Sequence, residues 1–188
     1  QFFYGVDLKD KMDDWRERLK GVLFQAKLGS MYEKVERIQK LGAHLTSTEA
    51  PQVQTDVQRA GQLCKTDLVS QVVGEFAKLQ GIMGRVYANV AGENVEVASA
   101  IEEHYRPIYS GGALPETTTG AFLAIADKLD TICGCFSVGL VPTGASDPYA
   151  LRRQAIGIVQ IMLAHQMRFS LQAAVAAGLK AFQCDDRD

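Results

Sequence analysis

Two glycines three residues apart, Gly81 and Gly84, sit inside the stretch EFAKLQGIMGRVYA, Glu75 to Ala88, between an apolar-faced helical segment and an aromatic helix start. Each glycine costs roughly 1 kcal/mol relative to alanine in a helix interior. A pair at this spacing therefore has a structural reason. Either the chain turns here, or another part of the backbone comes close to it.

The rest of the chain is read by its apolar spacing. Met12, Trp15, Leu19, Val22, Leu23 and Ala26 recur at three and four, the period of an amphipathic helix that Gly29 ends. Ser30 followed three residues later by Glu33 predicts a capping box opening the next helix, which buries Val35, Ile38, Leu41 and Leu45. Thr46 to Gln54 reads as a polar loop, and one long helix is expected from about Thr55 to Leu79. A short helix carries Met83, Val86 and Tyr87, and another runs from about Asn94 to Tyr105. Thr117 or Thr118 caps a helix holding Phe122, Ile125, Leu129 and Ile132. Ser146-Asp147-Pro148 predicts the start of a further helix, and Leu171 to Phe182 the last one. No segment alternates with period two. The expectation is an all-α fold of seven or eight helices.

At 188 residues the chain fits one domain, spanning 1–188, and needs no disulfide or metal staple. Twenty basic against twenty-two acidic residues argue against nucleic-acid binding by bulk charge, leaving a local basic patch open. No apolar run approaches the ~20 residues that span a bilayer. Gln1 with no initiator Met reads as an internal piece of a longer chain, and the aromatic opening does not read as a signal peptide. Cys64, Cys133, Cys135 and Cys184 are sparse and read as buried cytosolic thiols.

Candidate chemistry is thin. His44, His104 and His165 are dispersed and read as structural. Cys133 and Cys135 point to different faces of a helix and cannot clamp one ion. Asp127 and Asp130 share a helical face beside Lys128, a spacing that suits Mg²⁺ or acid–base work but is also that of an ion pair to a neighbouring helix. Lys65 and Asp67 pose the same question. Arg152 and Arg153 lie near a helix N-terminus, where the dipole disfavours cations. They call for an internal carboxylate or an external phosphate, either of which the guanidinium fork can grip.

Five stretches, in order, resemble the β subunit of the bacterial heterotetrameric glycyl-tRNA synthetase. They are FQAKLGSMYEKVERI (Phe24 to Ile38), CKTDLVSQVVGEFAKLQGIMGRVYA (Cys64 to Ala88), EEHYRPIYSGGALP (Glu102 to Pro115), AIADKLDTICG (Ala124 to Gly134) and PTGASDPYALRRQAIG (Pro142 to Gly157). Residues 170–188 lie outside these stretches and are expected to be peripheral.

The resemblance implies a helical domain related to HD phosphohydrolases, inside a longer polypeptide. An active HD site needs an adjacent His-Asp pair among its ligands. Here the corresponding region reads Leu63-Cys64-Lys65-Thr66-Asp67, and the first ligand histidine is replaced within Glu33-Lys34-Val35-Glu36-Arg37. Asp67 and Asp127 are the expected remnants of that site. The family's reaction uses ATP and Mg to activate glycine and transfers it to tRNA(Gly), with the adenylation site on the α subunit of an α2β2 assembly. The resemblance therefore implies a cytoplasmic, non-catalytic fragment that holds no cofactor or metal of its own and helps to position tRNA. Lys65, Arg85, Lys128, Arg152 and Arg153 are its candidate RNA contacts. A metal-dependent phosphohydrolase and a purely structural spacer are the alternatives.

Overall fold

A computed structural model describes residues 2–183. Among them are ten α-helices: α1 (Phe2–Asp7), α2 (Met12–Arg18), α3 (Met31–Glu49), α4 (Gln54–Leu63), α5 (Gln71–Glu75), α6 (Ile82–Val90), α7 (Val95–Glu103), α8 (Thr118–Ser137), α9 (Leu151–Ala164) and α10 (Leu171–Gln183). The all-α expectation holds. The one addition is a two-stranded antiparallel hairpin, β1 (Leu23–Gln25) with β2 (Gly29–Ser30).

Helix α8 is the axis of the fold. It is buried along almost its whole length, and α3, α4, α7, α9 and α10 pack around it. Phe122, Leu123, Ile125 and Leu129 on α8 meet Val35 and Ile38 of α3, Leu63 of α4 and Ile101 of α7 in one core. A helix buried on all sides is normally apolar all round. This one also buries Asp127, Lys128 and Asp130, so its charges need partners inside the protein.

The predicted capping box is present: the Ser30 side chain accepts from the Glu33 amide, and the Glu33 carboxylate accepts from the Ser30 N–H at 2.6 Å. Thr117 rather than Thr118 caps α8, accepting from the Gly120 N–H at 2.9 Å.

Helix α3 runs on to Glu49 into the loop expected over Thr46 to Gln54, and three further helix boundaries differ from the sequence reading. The helix expected from Met12 to Ala26 stops at Arg18 and gives way to a 3-10 turn and the hairpin. The long helix expected over Thr55 to Leu79 breaks after Leu63 into short turns and α5, because Ser70 caps a new start by accepting from the Val73 N–H. Helix α9 begins at Leu151, not near Ser146. The Asp147 carboxylate accepts from the Leu151 and Arg152 amides across Ala150, which is left-handed at φ 53°. Nor are the described residues beyond 170 peripheral. Helix α10 packs on α8 and α3, with Ala174 in the core.

The turn expected at the glycine pair is realised, and the close approach is made by side chains rather than by another backbone. Gly81 takes φ +81° at the start of α6, a turn that disfavours a side chain. Gly84 is a close approach: a Cβ there would stand 2.6 Å from Ile101 Cγ2 and 3.2 Å from the Asp67 carboxylate.

Candidate functional site

A cavity of about 470 Å³ opens where α8, the Lys65 turn, the end of α7 and the start of α9 meet. Its floor is polar. Lys34, Lys65 and Lys128 line it and are each no more than 6% exposed. Lysines from two separate stretches thus converge on Asp127. Lys65 Nζ donates to Asp127 Oδ2 at 2.8 Å, and Lys34 Nζ lies 2.9 Å from Oδ1. Lys34 also donates to Asp130 Oδ2 at 2.9 Å and Thr131 Oγ1 at 2.8 Å, while Arg37 donates to Asp130 Oδ1 at 2.6 Å. The carboxylate pair is therefore an ion-pair hub binding α8 to α3.

The ionisation states follow from this packing. Burial alone would raise the Asp127 pKa, but the Lys34 and Lys65 ammoniums outweigh it and hold the carboxyl well below its usual range. Among the described residues Lys128 donates to no carboxylate, though Asp127 lies near enough to favour its charge: its ammonium donates to the carbonyls of Arg106 at 2.7 Å and His104 at 3.2 Å. Burial, aided by the neighbouring Lys65 and Lys34, lowers it to about 8.

His104 is fully buried. Burial first, and Lys65 next, push its pKa well below the ordinary value, so the imidazole is neutral. Its Nδ1 lies 2.7 Å from the Ile101 carbonyl, which can only accept, so Nδ1 carries the proton. Nε2 is left as a bare acceptor with no hydrogen-bond partner, 3.9 Å from Asp127 Oδ2.

These residues do not suit the divalent ion that an HD site would hold. Both oxygens of Asp127 face ammonium groups, which would repel a second cation. The nearby Cys64 thiol is pushed up to about 12 by burial and is no thiolate ligand. Asp67 is not in the ligand position either. Its Oδ2 accepts from the Gly81 N–H at 2.6 Å and the Gly84 N–H at 3.1 Å, and these bonds only partly offset the rise that burial causes in its pKa.

The five predicted contact residues fall into two groups. Lys65, Lys128 and Arg153 line the cavity, the first two at its floor and the third exposed at its mouth with Lys78. Arg85 lies elsewhere, half-exposed and paired with Glu102 at 2.8 Å. Arg152 donates to the Gly144 carbonyl at 2.7 Å. Among the described residues neither Arg152 nor Arg153 has the internal carboxylate partner that sequence reasoning offered as one alternative.

Lys34 and Lys78 were missed as site residues. Lys34 carried a signal: it stands on the same α3 stripe as Ile38, Leu41 and Leu45, where a lysine must be neutralised or functional. Lys78 carried none, being one exposed lysine in a short 3-10 turn.

Comparison with known proteins fixes the lineage. The family described as "Glycyl-tRNA synthetase beta subunit" matches residues 1–187. The chain is 60% identical over 187 residues to the glycine–tRNA ligase beta subunit of Desulforapulum autotrophicum, covering 98% of this chain and 27% of that protein. It is 53% identical to those of Desulfatibacillum aliphaticivorans, over 182 residues, and Geobacter sulfurreducens, over 180, covering 95% and 96% of this chain and 26% of each relative. The chain thus spans about a quarter of the length of the relatives it matches. The resemblance carried by the five stretches is borne out: the chain belongs to the glycyl-tRNA synthetase beta subunit family.

Proposed function

We propose that this domain is a non-catalytic part of a glycine–tRNA ligase β subunit that helps to bind and position tRNA(Gly) in the cytoplasm, within an α2β2 assembly whose α subunit uses ATP and Mg for the adenylation step. The observation that carries the reading is the replacement of ligand chemistry by lysines at Asp127, together with a cationic cavity mouth at Arg153 and Lys78. Two ammoniums on one carboxylate oppose binding of a divalent ion there, whereas guanidinium and ammonium groups exposed at a surface suit RNA phosphates. On this account the cavity is what is left of an HD-type pocket. Among the described residues no cluster of His, Cys, Asp or Glu offers the phosphohydrolase alternative a ligand set.

The test is charge reversal in the full α2β2 enzyme. Arg152→Glu with Arg153→Glu is expected to raise KM for tRNA(Gly) about tenfold or more, since each lost charged contact is worth about 1.5–3 kcal/mol. Glycine-dependent ATP–pyrophosphate exchange should be unchanged. An unaltered KM would count against the RNA role.

The spacer reading has one observation in its favour. Ile156, Val159 and Leu163 form an apolar stripe on α9 and are 52%, 47% and 73% exposed. Such a stripe suits contact with the remainder of a longer chain. It lies on the helix that also carries Arg153, so bracing and RNA contact are compatible.

A further inference from the structure

The charges around the cavity do not balance. Lys34, Arg37, Lys65 and Lys128 are buried or nearly so, and among the described residues Asp67, Asp127 and Asp130 oppose them, an excess of one positive charge. Arg153 and Lys78 add to that excess at the mouth. Holding an uncompensated cation out of water is costly, by several kcal/mol per ion even after relaxation. Buried charges in proteins are accordingly paired or serve a ligand. The carbonyls of His104 and Arg106 satisfy two of the three Lys128 N–H donors but do not cancel its charge.

Donors are left over as well. Lys65 makes one hydrogen bond, to Asp127, and sets its ammonium 4.0 Å from the centre of the Tyr105 ring, so it keeps donor capacity toward the cavity. Lys128 keeps one N–H. The surplus has a counterpart of opposite kind in the bare Nε2 of His104, a buried acceptor on the same lining. A ligand that answers all of these carries two negative charges and at least one hydroxyl donor.

We infer that this cavity binds a phosphate monoester bearing a hydroxylated body, with Lys65, Lys128 and Arg153 holding the phosphate and His104 Nε2 accepting from a ligand hydroxyl. A phosphate monoester carries about −1.5 to −2 charges near pH 7, which the buried excess together with Arg153 and Lys78 at the mouth can neutralise. Volumes of about 300–1,000 Å³ are those of small-ligand sites, so the cavity admits a single nucleotide unit and excludes a duplex. The source is either the phosphorylated end of an RNA or a free nucleotide. This site goes beyond the tRNA-positioning role and does not depend on it.

The test uses the full-length β subunit, with cytidine 5′-monophosphate and cytidine as probes in titration calorimetry. Saturable binding of the monophosphate is expected, with a preference of about tenfold or more over cytidine. Lys128→Met and Arg153→Ala should each weaken monophosphate binding by about tenfold. Arg153 is exposed, so its variant will fold even where Lys128→Met does not. Equal binding of cytidine and its monophosphate, or native affinity in Arg153→Ala and in folded Lys128→Met, would overturn the assignment. A 5′-phosphorylated RNA tetranucleotide separates the sources: tighter binding than the mononucleotide assigns an RNA end, and weaker binding assigns a free nucleotide. Loss of monophosphate binding in Arg153→Ala with tRNA(Gly) affinity intact would sink the tRNA reading and leave the cavity assignment standing.

Discussion

The Lys65 ammonium lies 2.8 Å from Asp127 Oδ2, joining a chain break after α4 to the centre of the buried helix α8. Lys34 occupies the other oxygen at 2.9 Å. The two partners of the Lys65–Asp127 pair are not equivalent to remove. Asp127→Asn strips Lys65 of its sole carboxylate and is expected to cost about 3–5 kcal/mol, the range for breaking a buried pair. Lys65→Met leaves Asp127 with Lys34 and removes one excess cation, so its cost should be smaller, on the order of 1–2 kcal/mol. Amide exchange along α8 in the full-length subunit measures both. Equal losses would contradict the hub described here.

Gly84→Ala forces a Cβ to within 2.6 Å of Ile101 and 3.2 Å of the carboxylate that caps α6. Overpacking of this kind costs about 1–3 kcal/mol. Gly81→Ala meets both a left-handed backbone and Tyr105 at 2.6 Å, and should cost at least as much. Thermal unfolding followed by far-UV dichroism would show it, and native melting of both variants would refute the packing argument.

The glycine pair shows how far the sequence could be read. It offered a turn or a close backbone approach; the turn is found at Gly81, because backbone geometry at glycine is a local property, whereas the neighbours crowding Gly84 are side chains that only the tertiary fold brings there. The break after Leu63 was hidden. Leu68, Val72 and Phe76 keep a four-residue spacing across it, so apolar periodicity ran on through the Lys65 turn. What breaks the helix there is non-local: Lys65 reaches Asp127, 62 residues away, and Asp67 turns to the Gly81 and Gly84 amides. Ser70 was a readable cap that the periodicity overrode. Asp127 was read as a remnant of a metal site and Lys128 as one of five RNA contacts, but burial alone decides that Lys128 is on a cavity floor and Arg152 is not.

Lys128 makes stability depend on alkaline pH. Burial lowers its folded value to about 8 from an ordinary 10.5. Between those values the unfolded chain binds more protons, so stability rises with pH across this window. Below 8 both states are protonated and the full penalty, on the order of 3 kcal/mol, is present. Lys128→Met should lack that rise. Urea-unfolding midpoints at either end of the window compare the two proteins, and parallel pH profiles would contradict the assigned environment.

Divalent ions should not stabilise this domain through Asp127. In the full-length β subunit, adding Mn²⁺ or a chelator is expected to leave the unfolding of the α8 region unchanged, because Lys34 and Lys65 hold both carboxylate oxygens. Stoichiometric metal by elemental analysis, lost in Asp127→Ala, would revive the phosphohydrolase alternative.

The central claim is that the cationic mouth beside α9 meets RNA. A cryo-electron-microscopy structure of the α2β2 enzyme with tRNA(Gly) tests it most directly. The account predicts an RNA phosphate within hydrogen-bonding distance of the Arg153 guanidinium. RNA bound with α9 and the cavity mouth clear of it, in a complex competent for glycylation, would contradict the account.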